Sequence, residues 1–271
     1  MVGSQYDDDD DNVVGRRQTR WYAVTGGRGF MARHLVAALL RSGEWRVRVT
    51  DLAPTLALGP GETDGILSDA LRDGRAVYAS VDVCNLDQLA KAFEGVDVVF
   101  HTAAADPSKN NLQLHYKVNV EGEYVRLTSA NALKTLFSEF PDAYAQTKAE
   151  AEKLVIKANG INGLLTCCIR PGSMFGPGDI MMPTLDRYGW SNVTIGEGKN
   201  YDDFVYVENV VHGHLCADKT LSTIEGARTS GGKAYFITNM EPMNMWDFLY
   251  LVQEELGYKR CSFYGYMLIH Q

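Results

Sequence analysis

The chain has 271 residues, of which 45% are hydrophobic and 22% charged. That is the composition of one large or two small globular domains, and it excludes a disordered, collagen-like or coiled-coil protein. The formal net charge of -8, with no dense Lys/Arg cluster, argues against a nucleic-acid partner.

No apolar run approaches the roughly 18 residues of a membrane-spanning helix, so no transmembrane segment is expected. The polar, acidic N-terminus has no signal-peptide pattern. Cys84, Cys167, Cys168, Cys216 and Cys261 are odd in number and contain no C-x-x-C pair. They read as buried thiols of a reducing compartment, not as disulfides or metal ligands. Judged on these features alone, the chain is a soluble cytoplasmic protein.

Residues 1–20 carry an acidic run, Asp7 to Asp11, and are expected to be a disordered tail. From Trp21 the pattern changes. Trp21–Thr25 predicts an apolar strand, Gly26-Gly27-Arg28-Gly29 a turn, and Leu35, Val36, Leu39 and Leu40 share one face of a helix that Gly43 stops. Further strands are expected over Trp45–Thr50, Ala76–Val81 and Asp97–His101, with a helix over Leu86–Glu94 between the last two. Asp142–Ala158 predicts another helix, and Leu164–Ile169 another buried strand. Residues 176–203 read as loops with a short helix at most. Alternating strands and helices, with strands apolar on both faces, predict a doubly wound parallel sheet. The expected division is a nucleotide-binding domain over 21–175 and a substrate region over 176–271, interleaved with the last sheet elements.

Gly26, Gly29 and Ala32 stand at the spacing G-x-x-G-x-x-[GA], after a strand and at the head of a helix. Small residues there let the backbone approach a pyrophosphate, and the helix N-terminus offers free N–H groups. Asp51 ends the next strand, 22 residues after Gly29. Its carboxylate suits the ribose hydroxyls of NAD and repels the 2′-phosphate of NADP, whereas Arg28, Arg46 and Arg48 nearby could pair with that phosphate. Asp82, at the end of the third strand, reads equally as an adenine ligand or a strand-end cap. Tyr144 and Lys148 lie four apart on one helix face. An ammonium beside a phenol favours the phenolate, so Tyr144 can take a proton from an alcohol while hydride leaves for a nicotinamide. Asn119 reads by itself as a helix N-cap or turn amide. His212 and His214 are two apart and do not face each other on a helix. Met240, Met243, Met245 and Trp246 read as packing of a terminal helix.

Together these motifs resemble the extended short-chain dehydrogenase/reductase family. The resemblance is carried by Thr25-Gly26-Gly27-x-Gly29-Phe30, Asp82-Val83, His101-x-Ala103-Ala104, Asn119-Val120-x-Gly122, Tyr144-x-x-x-Lys148 and Arg170-Pro171-Gly172-Ser173-x-x-Gly176-Pro177-Gly178-Asp179. Residues 203–214 and 234–239 are similar to the 3β-hydroxysteroid dehydrogenase branch, and within it to the plant-type decarboxylating sterol-4α-carboxylate 3-dehydrogenases. The Arg170–Asp179 stretch by itself also suits a sugar-nucleotide epimerase or a ketone reductase.

The resemblance implies NAD-dependent oxidation of the 3β-hydroxyl of a 4-carboxysterol, followed by decarboxylation. It implies Tyr144 as general base, Lys148 as its partner, and a Ser or Thr from a fifth strand beside them; for Asn119 it implies, equally with a cap or turn amide, a role in positioning Lys148 through a water. It implies that NAD is held by Gly26, Gly29, Phe30, Met31, Asp51, Asp82, Val83, Ala103, Ala104, Lys148, Pro171 and Ser173. It also implies a place at the cytoplasmic face of the endoplasmic reticulum, and it is compatible with a homodimer. Two stretches depart from the family pattern. Only 21 residues separate Gly122 from Tyr144, too few for a helix, two loops and a strand. Tyr124–Ser129 is the candidate replacement, with Ser129 either orienting substrate or, the reading the short length favours, an incidental loop or cap residue. After Arg260 the family's C-terminal segment is not recognisable. An internally shortened chain could instead bind NAD without catalysing.

Overall fold

The computed structural model describes residues 19–43, 45–59, 62–106, 109, 111–121, 143–187 and 197–257. Four parallel strands form its central sheet: β1 (Trp21–Thr25), β2 (Arg46–Asp51), β3 (Ala76–Ser80) and β4 (Val98–His101), in the order β3-β2-β1-β4. Register runs from Trp21 opposite Arg46 to Thr25 opposite Thr50, and Tyr22–Thr25 lie opposite Val98–His101. Helix α1 (Phe30–Arg41) crosses from β1 to β2, α2 (Ile66–Asp73) from β2 to β3, and α3 (Leu86–Ala92) from β3 to β4.

The core follows from the apolar face of α1. Leu35, Val36, Leu39 and Leu40 are buried against Tyr22, Val24, Val47 and Val49 of the sheet, each such side chain contributing about 1.5–3 kcal/mol. Tyr22 also reaches α7 (Val207–Leu221), where its hydroxyl donates to Asp218 at 2.9 Å. Burial pushes this phenol up to about 12, and the Arg20 side chain opposes that rise.

Past β4 the chain forms α4 (Leu112–His115), which widens into a π-helical turn over Tyr116–Glu121. Helix α5 (Ala143–Ala158) follows. The later strands make three separate pairs. The parallel ones are β5 (Cys167–Pro171) with β9 (Lys233–Ile237) and β6 (Ser173–Phe175) with β8 (Phe204–Tyr206). The antiparallel pair is β7 (Tyr201–Asp202) with β10 (Met243–Asn244). Helices α6 (Met181–Arg187), α8 (Ile224–Ser230) and α9 (Met245–Glu255) complete the described chain.

The Rossmann-like parallel sheet with helices is therefore present. Among the described residues, however, no strand joins β4 to β5. Several expectations are corrected by this. The strand expected at Leu164–Ile169 begins at Cys167. Gly160, Asn162 (φ 52) and Gly163 make a tight turn first, and Asn159 caps it by accepting from the Thr166 amide. That strand is only half-buried, so Cys167 and Cys168 are half-buried too. Cys84 is likewise half-buried and Cys216 is exposed. None of the four is the buried thiol expected: Cys84 stands in the turn after β3 and Cys216 on α7, positions partly or fully open to solvent. Met240 is 86% exposed in a left-handed turn (φ 56) and Met243 lies in β10, so neither belongs to the terminal helix. Cys261, residues 1–18 and the segment 123–141 with Ser129 lie outside the described residues. No described helix is long and apolar enough to cross a membrane.

Candidate functional site

The turn between β1 and α1 is built by close approach. Gly26 takes φ +63, and a Cβ there would lie 2.8 Å from Ala103 Cα. Gly27, which the motif spacing did not single out, is as constrained: its Cβ would meet Val49 Cγ1 at 2.3 Å. The Gly29 amide closes the turn on the Gly26 carbonyl at 2.9 Å, and Gly29 stands at the N-cap of α1 with no side-chain cap. The first amides of α1 are thus left without a side-chain cap at the head of the sheet. Ala32, third of the small residues, is buried in the core below.

Asp51 sits at the rim of this turn. One carboxylate oxygen accepts from the Arg28 amide at 3.0 Å. The expected competition from arginines resolves against a 2′-phosphate at two of the three positions. Arg46 and Arg48 both stack on the Trp21 ring, at 5.6 and 5.3 Å. Arg48 also donates to the Ala92 and Glu94 carbonyls at the end of α3. Arg28 alone remains exposed beside Asp51. The Asp82 carboxylate accepts from the Cys84 amide at 2.9 Å, a strand-end turn, and Val83 packs on the small cluster of Val81, Leu89 and Ala92.

The other wall of the groove is tied to the first. Thr25 Oγ1 receives the Thr102 and Ala103 amides, and Thr102 Oγ1 donates to the Thr25 carbonyl. Phe30 packs edge-on against His34, whose Nε2 bonds the Pro177 carbonyl at 2.8 Å. Met31 is partly buried against the core. Ser173 donates to Asp202, and Pro171, at the end of β5, is exposed.

Tyr144 and Lys148 lie on α5, half-buried, with the fully buried Thr147 between them. The buried Asn119 bridges this helix to the groove. Its Oδ1 accepts from the Ala105 amide at 2.9 Å, and its Nδ2 donates to Thr147 Oγ1 at 3.1 Å. This is a direct bond to the helix carrying Tyr144 and Lys148. His115, one turn earlier, sets its ring edge-on to Tyr144 at 5.8 Å. On the far side Arg170 makes a two-pronged ion pair with Glu152, which anchors α5 to β5. His212 and His214 diverge as expected. His212 meets Cys216 at 3.3 Å, and His214 bonds the Val210 carbonyl. Among the described residues no cluster of metal-ligating side chains occurs.

The fold and the groove define a short-chain dehydrogenase/reductase of the extended type. A family model described as the 3-beta hydroxysteroid dehydrogenase/isomerase family matches residues 23–135 and 125–266, and the chain belongs to that family. It is 47% identical, over 90% of its length, to a 3beta-hydroxysteroid-dehydrogenase/decarboxylase isoform 1 of Arabidopsis thaliana, of which it covers 63%. It is 34% identical to a human decarboxylating sterol-4-alpha-carboxylate 3-dehydrogenase, over 93% of this chain and 70% of the relative. The chain spans between half and two thirds of the length of the plant relatives. The family model meets it as two segments that overlap at 125–135, inside the short stretch between Gly122 and Tyr144. Among solved structures, a Bacillus cereus UDP-glucuronic acid 4-epimerase in complex with NAD superposes with a TM-score of 0.70 at 19% identity, covering 91% of this chain and 87% of that one. A Streptomyces venezuelae dTDP-glucose 4,6-dehydratase superposes at 0.66 and 20% identity, covering 88% and 82%. At such identities the likeness is one of fold.

Proposed function

We propose that the chain oxidises the 3β-hydroxyl of a 4-carboxysterol with NAD and releases the carboxyl group as carbon dioxide. The observation that carries this reading is the Asn119 bridge. It joins the loop after β4, at the nucleotide groove, to the face of α5 that presents Tyr144 and Lys148. Cofactor groove and proton acceptor are thereby held in one place. The names of the relatives, decarboxylases of 3β-hydroxysterols, supply the substrate class.

The groove fits NAD on its own geometry: a glycine turn packed so closely on Ala103 and Val49 that it admits no side chain, an uncapped helix N-terminus, and a carboxylate at Asp51. Gly26, Gly29, Phe30 and Met31 would face the pyrophosphate, Asp51 the adenosine ribose, and Asp82 and Val83 the adenine. Ala103, Ala104, Pro171 and Ser173 would line the nicotinamide end. NAD over NADP is supported by the engagement of Arg46 and Arg48 with Trp21. NAD, when bound, supplies the hydride acceptor. Tyr144, as phenolate, takes the hydroxyl proton, and Lys148 balances its charge and orients the ribose. The resulting ketone stands β to the carboxylate, so its carbonyl accepts the electron pair released as the C–C bond to carbon dioxide breaks. Residues 21–175 would form the nucleotide domain and 176–271 the substrate region. The protein would work at the cytoplasmic face of the endoplasmic reticulum, as a homodimer if the family pattern holds.

The test is incubation of the purified chain with NAD and a 4α-carboxy-3β-hydroxysterol. NADH and the decarboxylated 3-ketone should form together, and Tyr144→Phe should abolish both while sparing NAD binding. Equal turnover by the variant would sink the assignment. A second reading, an NAD-binding protein without turnover, is favoured by one observation: only 21 residues separate Gly122 from Tyr144, too few for a helix, two loops and a substrate-orienting strand. NAD binding with no ketone would select it.

A further inference from the structure

Three features around Tyr144 are not used by the proposed reaction. The first is the π-helical turn Tyr116–Glu121, an uncommon element often found at functional sites. It follows directly on His115 and carries Asn119. The two meet the next helix one turn apart, His115 at Tyr144 and Asn119 at Thr147. The second is the burial of His115, which is 1% exposed. Its Nε2 lies 2.5 Å from the Lys109 carbonyl. A carbonyl only accepts, so Nε2 is the donor of this bond and Nδ1 is the ring's other polar atom. The third is that this Nδ1 is buried with no partner among the described residues. A phenylalanine would fill the same space without burying a nitrogen, so packing alone does not explain a histidine here.

We propose that His115 is a positioning residue for Tyr144: the Lys109 carbonyl fixes the imidazole plane, and the imidazole edge fixes the phenol ring of Tyr144 in one orientation. The centroid distance of 5.8 Å and the interplanar angle of 80° are those of an edge-to-face pair. The contact restricts the ring of a base on a half-buried helix face, where a displacement of about 1 Å at a reacting group costs roughly a hundredfold in rate. The inference rests on the assignment of Tyr144 as the base, so its test must work with and without turnover.

Two substitutions separate the halves of the device. His115→Gln keeps an N–H for the Lys109 carbonyl and loses the ring. His115→Phe keeps the ring and loses the N–H. In sterol oxidation His115→Gln should lower kcat by about tenfold to a hundredfold with KM for NAD unchanged, and His115→Phe should recover part of the loss. Independently of activity, 3-fluorotyrosine placed at position 144 should give one narrow fluorine resonance in the otherwise unmodified protein, and a broadened or doubled one in His115→Gln. If Tyr144→Phe is inactive while His115→Gln turns over at the original rate, the positioning role is overturned and the function stands. If no sterol is oxidised at all, the fluorine spectrum decides alone. An unchanged resonance in His115→Gln then overturns the role, and if that variant does not fold, the same comparison is made on His115→Leu, which also removes the ring.

Discussion

Replacing Gly26 by alanine isolates the cost of the close approach that makes the groove. Two penalties act at this position. The backbone is left-handed (φ +63), which costs a non-glycine residue about 1–2 kcal/mol. The new Cβ would also sit 2.8 Å from Ala103 Cα and 2.9 Å from its nitrogen, both backbone atoms that cannot rotate aside. Overpacking of this kind costs about 1–3 kcal/mol. Gly43 is the internal control: it has nearly the same φ, +73, and nothing lies within 4 Å of its Cβ position. Gly43→Ala should therefore lose only the first penalty and Gly26→Ala both, roughly 2–5 kcal/mol in all. At about 2–4 °C per kcal/mol for a chain of this size, the midpoints should fall by a few degrees and by roughly 5–15 °C respectively. Denaturant unfolding of the two variants side by side, with thermal melts in the presence of NAD, reads this directly. Equal destabilisation by both substitutions would refute the close contact between the turn and Ala103, and with it the geometry assigned to the phosphate loop.

The remaining predictions concern charge, the bridge and pH. Asp51→Asn should raise the affinity for NADP relative to NAD by at least about tenfold in a calorimetric titration, since one repelling charge is removed beside the 2′ position. An unchanged ratio would place the ribose elsewhere. Asn119→Ala leaves the Ala105 amide and the Thr147 hydroxyl without their buried partner. It should cost about 1–3 kcal/mol in unfolding free energy and reduce kcat beyond the loss in folded protein; full activity at a lowered midpoint would show that the bridge only stabilises. Burial holds the His214 imidazole below its ordinary value, with the Val210 carbonyl opposing the shift. The fold thus favours neutral His214, so its contribution to stability is complete above about pH 6.5 and is lost as pH falls below that. His214→Phe should flatten the stability curve between pH 7 and 5, and a curve parallel to that of the parent protein would assign the acid sensitivity to other groups.

The first half of the fold was legible because its signals are local. Trp21–Thr25, the glycine turn and the four leucine and valine positions of α1 agree in strand, turn and helix period, and Asp51 falls where the second strand must end. What escaped was set by contacts across the chain. The π-helical turn has no period of its own in sequence, so Asn119 read equally as a water-linked partner or a turn amide. Two polar residues four apart, His115 and Asn119, were the available signal for a buried polar face. The stacking of Arg46 and Arg48 on Trp21 removed two candidates for a phosphate, and nothing in their spacing marked it. Leu164 and Leu165 look like strand, but the Gly160–Gly163 turn delays pairing until Cys167. The half-burial of Cys167 and Cys168 is set by what packs on β5, which the segment's own residues do not encode.

The most direct measurement on the central claim follows the hydrogen at C-3. A 4α-carboxy-3β-hydroxysterol carrying deuterium at C-3 is incubated with NAD and the purified chain, and the reduced cofactor is analysed by mass spectrometry. Hydride transfer at the Tyr144 site requires reduced cofactor one mass unit heavy, with a matching amount of decarboxylated ketone. Reduced cofactor without deuterium, or none above the Tyr144→Phe background, would contradict the assigned reaction.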